Sequence, residues 1–228
     1  MAPFFSDNFN GAGATTELSA WAPDVGTSWS KLWASSTQVF QVLTGGTVRC
    51  SNNAGDVGFI YTADATYPSA DYEAQIDFIT TFSTITPLYL GVRCQDQENM
   101  YGVRLVLSAG SNNAQLYQKV LGVWLAIGTV VTIADGSVVK VQIIGTTLKL
   151  FDDGVEVDSV TVVDISAAGK AWIGHGGGAE LVTSTDDVRA TSMLDNFSVT
   201  DLGGGGGGGG DSFNAAWSTS VLMMGVGV

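Results

Sequence analysis

Residues 138–160 read VVKVQIIGTTLKLFDDGVEVDSV, and the reading of this stretch decides the fold. Val139, Val141 and Ile143 fall on one side of an extended chain, with Val138, Lys140 and Gln142 on the other. Side chains alternate across a strand with a period of two, so this pattern sets one face on a core and one in water. Two breaks divide the stretch. Gly145, followed by Thr146, separates VKVQII from LKLF, and Asp153-Gly154 separates LKLFD from VEVDSV. An Asp-Gly pair between alternating segments is a strong hairpin signal, because glycine tolerates the positive φ that such turns require. Three successive antiparallel strands are expected here.

The same alternation extends in both directions. Gln38–Leu43 precedes a Gly-Gly turn and then Thr47–Cys50, and Val57–Thr62 and Asp71–Ile79 also read as strands. Leu88, Leu90, Val92 and Cys94 share one face, as do Tyr101, Val103, Leu105 and Leu107. About a dozen strands and no convincing helix fit an all-β sandwich or barrel. An α/β enzyme would place helices between its strands.

The chain has 228 residues, 45% of them hydrophobic and 14% charged, with six Trp, so core material is ample. Its net charge of −13 comes from 22 acidic and nine basic residues. Such a surface repels phosphate backbones and disfavours nucleic acid as a partner, while supplying oxygen ligands to hard cations. The start, MAPFFSDNF, has neither the basic nor the apolar region of a secretory signal, and no stretch is long enough to span a membrane. Synthesis in the cytoplasm without general secretion is the expectation. Two cysteines make no disulfide framework. Cys50 and Cys94 both follow Val-Arg (TVRC, GVRC), which suggests neighbours in one sheet, as a buried thiol pair or, with suitable geometry, a bridge.

The sandwich is expected to occupy residues 1–202. Residues 203–210 are eight glycines, a flexible spacer. The remaining peptide, 211–228, carries Phe213, Trp217, Val221, Leu222, Met223 and Met224 beside one charged side chain, Asp211. An apolar peptide on a glycine leash suits docking into a groove or onto a sheet edge, of a protein partner or a sister subunit.

Several segments together resemble the concanavalin A-like, laminin G-like jelly-roll superfamily, of the kind found in phage virion and bacterial surface proteins. They are MYGVRLVL, AQLYQKVLGVWLAIG, the 138–160 hairpin series, the closing MLDNFSVTDL, the opening FSDNFN, and APDVGTSW. The resemblance implies a two-sheet antiparallel β-sandwich followed by the glycine-rich arm. It also implies that first and last strands lie side by side, bringing Asp7-Asn8-Phe9 near Asp195-Asn196-Phe197. The Phe side chains would be core, and Asp7 and Asp195 would face polar surroundings where some relatives hold calcium; turn and edge capping by Asp and Asn is the alternative. DSFN at 211–214 echoes DNFN at 7–10.

Enzymes of this fold carry Glu-x-Asp-x-x-Glu on one strand. Glu156-Val157-Asp158 begins that pattern, but position 161 is Thr, so the carboxylate pair a glycosidase needs is incomplete. His175, in IGHGGGAE, is the single histidine and reads as a loop residue without a nucleophile elbow. Asp186-Asp187 with Glu180 could ligate calcium or line a solvated loop. Sugar binding calls for aromatic platforms, and Trp33, Tyr117 and Trp124, with Tyr67 and Tyr89, stand near turns where they could serve. No catalytic residue is assigned. Three functions follow: a structural and attachment protein of a virion held by its C-terminal arm, a carbohydrate-binding module of a cell-surface or secreted protein, or a glycoside hydrolase.

Overall fold

A computed structural model describes residues 1–11, 13–34, 39–50, 58–80, 87–108, 111–134, 136–176 and 192–203. Asp186, Asp187, Glu180 and the arm residues Phe213, Trp217, Val221, Leu222, Met223 and Met224 lie outside the described residues.

Two antiparallel sheets face each other. One contains, in spatial order, β15 (Val155–Thr161), β14 (Thr147–Asp152), β13 (Val138–Ile144), β7 (Tyr72–Thr80), β17 (Ser192–Asp201), β5 (Val48–Cys50), β4 (Phe40–Val42) and β2 (Thr16–Glu17), with β1 (Phe5–Asp7) also on β17. The other runs β11 (Val123–Ala126), β10 (Ser111–Val120), β9 (Asn99–Ser108), β8 (Pro87–Asp96), β16 (Lys170–His175), β6 (Phe59–Asp64) and β3 (Ser28–Ala34), with β12 (Val131–Ile133) also on β10. The one helical turn among the described residues is a 3-10 turn at Leu18–Ala20.

The stretch 138–160 forms the meander its alternation predicts. Val141 lies opposite Leu150 and Ile143 opposite Leu148, and all four side chains are fully buried. Asp153 and Gly154 have φ of +47° and +81°, the double left-handed turn whose twist matches that of the strands it joins. Across the sandwich, Leu88, Leu90 and Val92 of β8 and Val103 and Leu105 of β9 belong to the same buried cluster. These faces leave water together, and that burial is the main force holding the sheets.

β1 pairs with β17, Phe5 against Val199 and Asp7 against Phe197, so the first and last strands are neighbours. Phe5, Phe9 and Phe197 are buried, as the resemblance implied. The cysteines are a correction. β5, carrying Cys50, belongs to one sheet and β8, carrying Cys94, to the other, and Cys94 is a buried free thiol. The TVRC and GVRC segments look alike because both end in extended chain, one in the three-residue β5 and the other in the ten-residue β8. Alternation does not say which sheet a strand joins, and at Cys94 it also misses the face, because the register shift after Val92 turns Cys94 away from Leu88, Leu90 and Val92 into a cluster with Tyr89 and Trp172.

Arg93 ties the sheets together at one end. It is 2% exposed. Its guanidinium donates from Nε to the Ala70 carbonyl at 3.0 Å, from Nη1 to the Ile165 carbonyl at 3.1 Å, and from Nη2 to Asp71 Oδ1 at 3.1 Å. Asp71 Oδ1 also accepts the Gly145 N–H at 2.9 Å. A buried charge persists only when paired and hydrogen-bonded in this way. The pairing of β8 with β9 shifts register between Val92 and Asp96, where Arg93 takes a φ of +48°.

Candidate functional site

Each strand of the eight-stranded sheet turns alternate side chains away from the sandwich core. Cross-strand pairing places Trp33 opposite Ile60, Trp172 opposite Gly91, Gly91 opposite Gly102, and Lys119 opposite Trp124. These residues share the outer face. On it Ile60, Tyr89, Cys94, Met100 and Trp172 form a second buried cluster, separate from the main core, with Trp33 and Trp124 packed against it half-exposed.

Trp172 is the floor. Its indole is fully buried and lies across β8 onto β9, where Nε1–H donates to the Tyr101 carbonyl at 3.0 Å. Glycines make the space. A methyl group on Gly91 would sit 2.1 Å from Trp172 Nε1, and one on Gly102 would sit 2.8 Å from Trp172 Cζ2. Strand interiors disfavour glycine unless something must approach closely, and here the approaching group is an indole.

Tyr89 lies nearly parallel to Trp172, with rings 6.0 Å apart and 25° between planes. Trp124 reaches in from the sheet's edge, 5.2 Å from Tyr89 and 6.3 Å from Trp172 by ring centroids. β11 and β8 stand three places apart in the sheet, roughly 14 Å at ordinary strand spacing. The contact therefore means that the two side chains reach toward each other across the strands between them. Tyr117 meets Trp124 edge to face at 6.5 Å. Trp33, Trp124, Tyr89, Trp172, Lys119 and His175 line one shallow depression on this face.

The structure thus brings Trp33, Tyr117, Trp124 and Tyr89 of the sequence candidates to one face. Tyr67 it places elsewhere. Its ring packs against Phe4 and Tyr72, and its hydroxyl donates to the Ala63 carbonyl at 2.9 Å and accepts the Ala171 N–H at 2.7 Å. Burial raises the Tyr67 pKa out of any working range. Sequence reading missed Trp172 and Lys119. The signal for Trp172 was present in the mid-strand glycines of LGVRC and MYGVR, which flag close approach. His175 is a second correction. It stands on β16, buried, stacked on Phe59 with 5.3 Å between rings and 9° between planes, rather than in a loop. The glycine-rich sequence after it suggested a loop, but the strand runs through residue 175.

Asp7 differs from the expectation of polar surroundings. It is 2% exposed, and both its oxygens are occupied by N–H donors. Oδ2 accepts Trp29 Nε1–H at 2.8 Å, while Oδ1 accepts the Phe9 N–H at 2.8 Å and Trp21 Nε1–H at 3.1 Å. Burial raises its pKa, the three donors oppose the rise, and nearby Asp24 adds to it. Asp195 accepts the Asn196 N–H at 2.7 Å, and burial followed by the Asp77 charge raises its pKa in spite of that bond. Each carboxylate thus accepts one local backbone N–H, Phe9 at Asp7 and Asn196 at Asp195. Among the described residues no group of three or more His, Cys, Asp or Glu is arranged to hold a metal. Glu156 pairs with Lys149 at 2.7 Å, and Asp158 Oδ2 accepts the Thr129 N–H at 2.9 Å, so each carboxylate of the partial hydrolase pattern has a surface partner.

No family model matches the sequence, and no curated protein does. Solved structures do resemble it. The carbohydrate-binding module CBM66 from Bacillus subtilis aligns with a TM-score of 0.53 at 13% identity, covering 77% of this chain and 97% of that one. The CBM2 module of the evolved Dit protein of Lactobacillus casei BL23 phage J-1 gives 0.54 at 11%, covering 86% and 94%. A glycosyl hydrolase family 16 protein from Mycobacterium smegmatis gives 0.53 at 13%, covering 87% and 100%. At these identities the likeness is one of fold, and this fold carries binding and hydrolysis alike.

Proposed function

We propose that this chain, which has the concanavalin A-like jelly-roll fold, is a non-catalytic carbohydrate-binding module of an attachment protein. One observation carries the reading. Trp33, Tyr117 and Trp124 come from three strands of one sheet and gather with Tyr89 over Trp172 on its outer face. Partly exposed aromatic rings on a rigid sheet offer the apolar face of a sugar ring a flat surface and hold it at little entropic cost. The strands fix these rings before any ligand arrives, which favours affinity through preorganisation.

Two neighbours of similar fold are named as carbohydrate-binding modules, which supports the same reading. One of them belongs to a phage Dit protein, and that favours display on a virion over the alternative of a secreted or cell-surface protein. The arm residues Phe213, Trp217, Val221, Leu222, Met223 and Met224 would then tie the module to a protein partner or to sister subunits. No helix among the described residues is long and apolar enough to cross a membrane.

Affinity electrophoresis of the full chain through gels cast with soluble polysaccharides tests the site. Trp124→Ala should abolish any retardation seen with the unaltered chain while leaving its circular dichroism intact. Equal retardation of both proteins would remove the site from this face. Release of reducing sugar by the chain would move it to the hydrolase reading.

A further inference from the structure

The molecule is strongly acidic, with 22 carboxylates against nine basic side chains. The aromatic depression departs from that balance. Among the described residues that line it, Lys119 carries charge, His175 is ionisable, and no carboxylate is present. Lys119 Nζ stands 5.6 Å from the centre of the Trp124 ring and donates to the Gln97 carbonyl at 2.6 Å. Its side chain is 14% exposed, and its nearest acidic group is Glu98, 3.8 Å away and 45% exposed. A second cation, Arg104, sits 5.8 Å from the Tyr117 ring, with Nη1 3.4 Å from the Tyr117 hydroxyl. Two cations of this face, Lys119 and Arg104, therefore lie against the rings of Trp124 and Tyr117.

We propose that the depression selects saccharides carrying an anionic group, a carboxylate or a phosphate ester, over neutral ones. This rests on the carbohydrate-binding reading and names its ligand class. The sugar ring stacks on Trp124, and Lys119, whose ammonium stands 5.6 Å from the centre of that ring, takes the anion. A lysine with its stem packed on aromatic surface is only partly hydrated, so its attraction for an anion is less screened than at an open surface. The ammonium has three N–H donors, of which the Gln97 carbonyl takes one. The acidic remainder of the surface repels anionic polymers, so binding depends on local registry of anion and lysine.

Calorimetry of the full chain with matched pairs tests this: tetragalacturonate against galactotetraose, and phosphorylated maltotetraose against maltotetraose. At least one anionic member should bind about tenfold tighter than its neutral counterpart, the size of one charge-assisted hydrogen bond. The preference should shrink as salt rises from 20 to about 200 mM, where the screening length falls below about 10 Å. Lys119→Met should erase the preference, and Lys119→Arg should restore it. Preference in the first pair alone assigns a carboxylate, and in the second alone a phosphate. Equal affinity within both pairs, or a preference that survives Lys119→Met, overturns the proposal while the carbohydrate reading stands. Binding of neither pair, together with no glycan binding by any other assay, overturns both.

Discussion

Trp172 owes its place to side chains its neighbours lack. Gly91 and Gly102 leave the backbone of two adjacent strands bare, and the indole fills that area and bonds the Tyr101 carbonyl. Gly91→Ala would put a methyl 2.1 Å from Trp172 Nε1 and 2.4 Å from the Tyr101 carbonyl oxygen, a contact neither backbone can yield to cheaply. Urea unfolding should show a loss of about 1–3 kcal/mol, the usual cost of overpacking, and glycan affinity should fall with it. At Arg93 the same argument runs through charge. Arg93→Met leaves Asp71 buried without its partner and should cost about 3–5 kcal/mol, read by the same measurement. Asp7 gives a pH signature. Its pKa is raised in the folded state, so the folded chain holds that proton more tightly than the unfolded chain does. Its contribution favours folding at low pH and is lost as pH rises through the folded value. Asp7→Asn should therefore remove a downward slope in stability between the ordinary Asp range and the raised value; an unchanged slope would show that the three N–H donors cancel the effect of burial.

Strands carry the legible part of the sequence. β13, β14 and β15 were readable because alternation and two turns agree, and the turn at Asp153-Gly154 has both residues at positive φ. Gly154→Ala should lower stability by about 1 kcal/mol, since only glycine takes φ of +81° without strain. Pairing between distant strands was far less legible. Periodicity showed that Cys50 and Cys94 lie on strands, but the sheet each strand joins depends on crossovers that leave no local pattern. The aromatic face was legible in part. Position near turns singled out Trp33, Tyr117 and Trp124, yet Tyr67 satisfied the same criterion and packs against Phe4 and Tyr72 instead. Nothing local distinguishes the two outcomes: Tyr67 lies in the connection between β6 and β7, and its ring turns in against Phe4 and Tyr72. Trp172 lies mid-strand, and its role becomes visible only once Gly91 and Gly102 are seen to be its neighbours.

Over the whole molecule the two faces of one sheet do different work. The inner face closes the sandwich core, and the outer face gathers rings and cations on a rigid, otherwise acidic body. β17 stops at Asp201, and the Leu202 N–H bonds the Asp71 carbonyl at 3.1 Å beside the Arg93 clasp. If the proposed virion role holds, removing residues 203–228 should leave the urea midpoint unchanged and abolish incorporation into particles; normal incorporation would detach the arm from any anchoring role. The claim on which everything functional depends is that the outer-face aromatics meet sugar. A glycan array probed with the full chain, with Trp33→Ala and with Trp124→Ala tests it most directly. A sugar-binding outer face gives a defined set of bound glycans that is weakened by the first substitution and lost with the second. An array on which all three proteins bind identically, or on which the unaltered chain binds nothing, would contradict it.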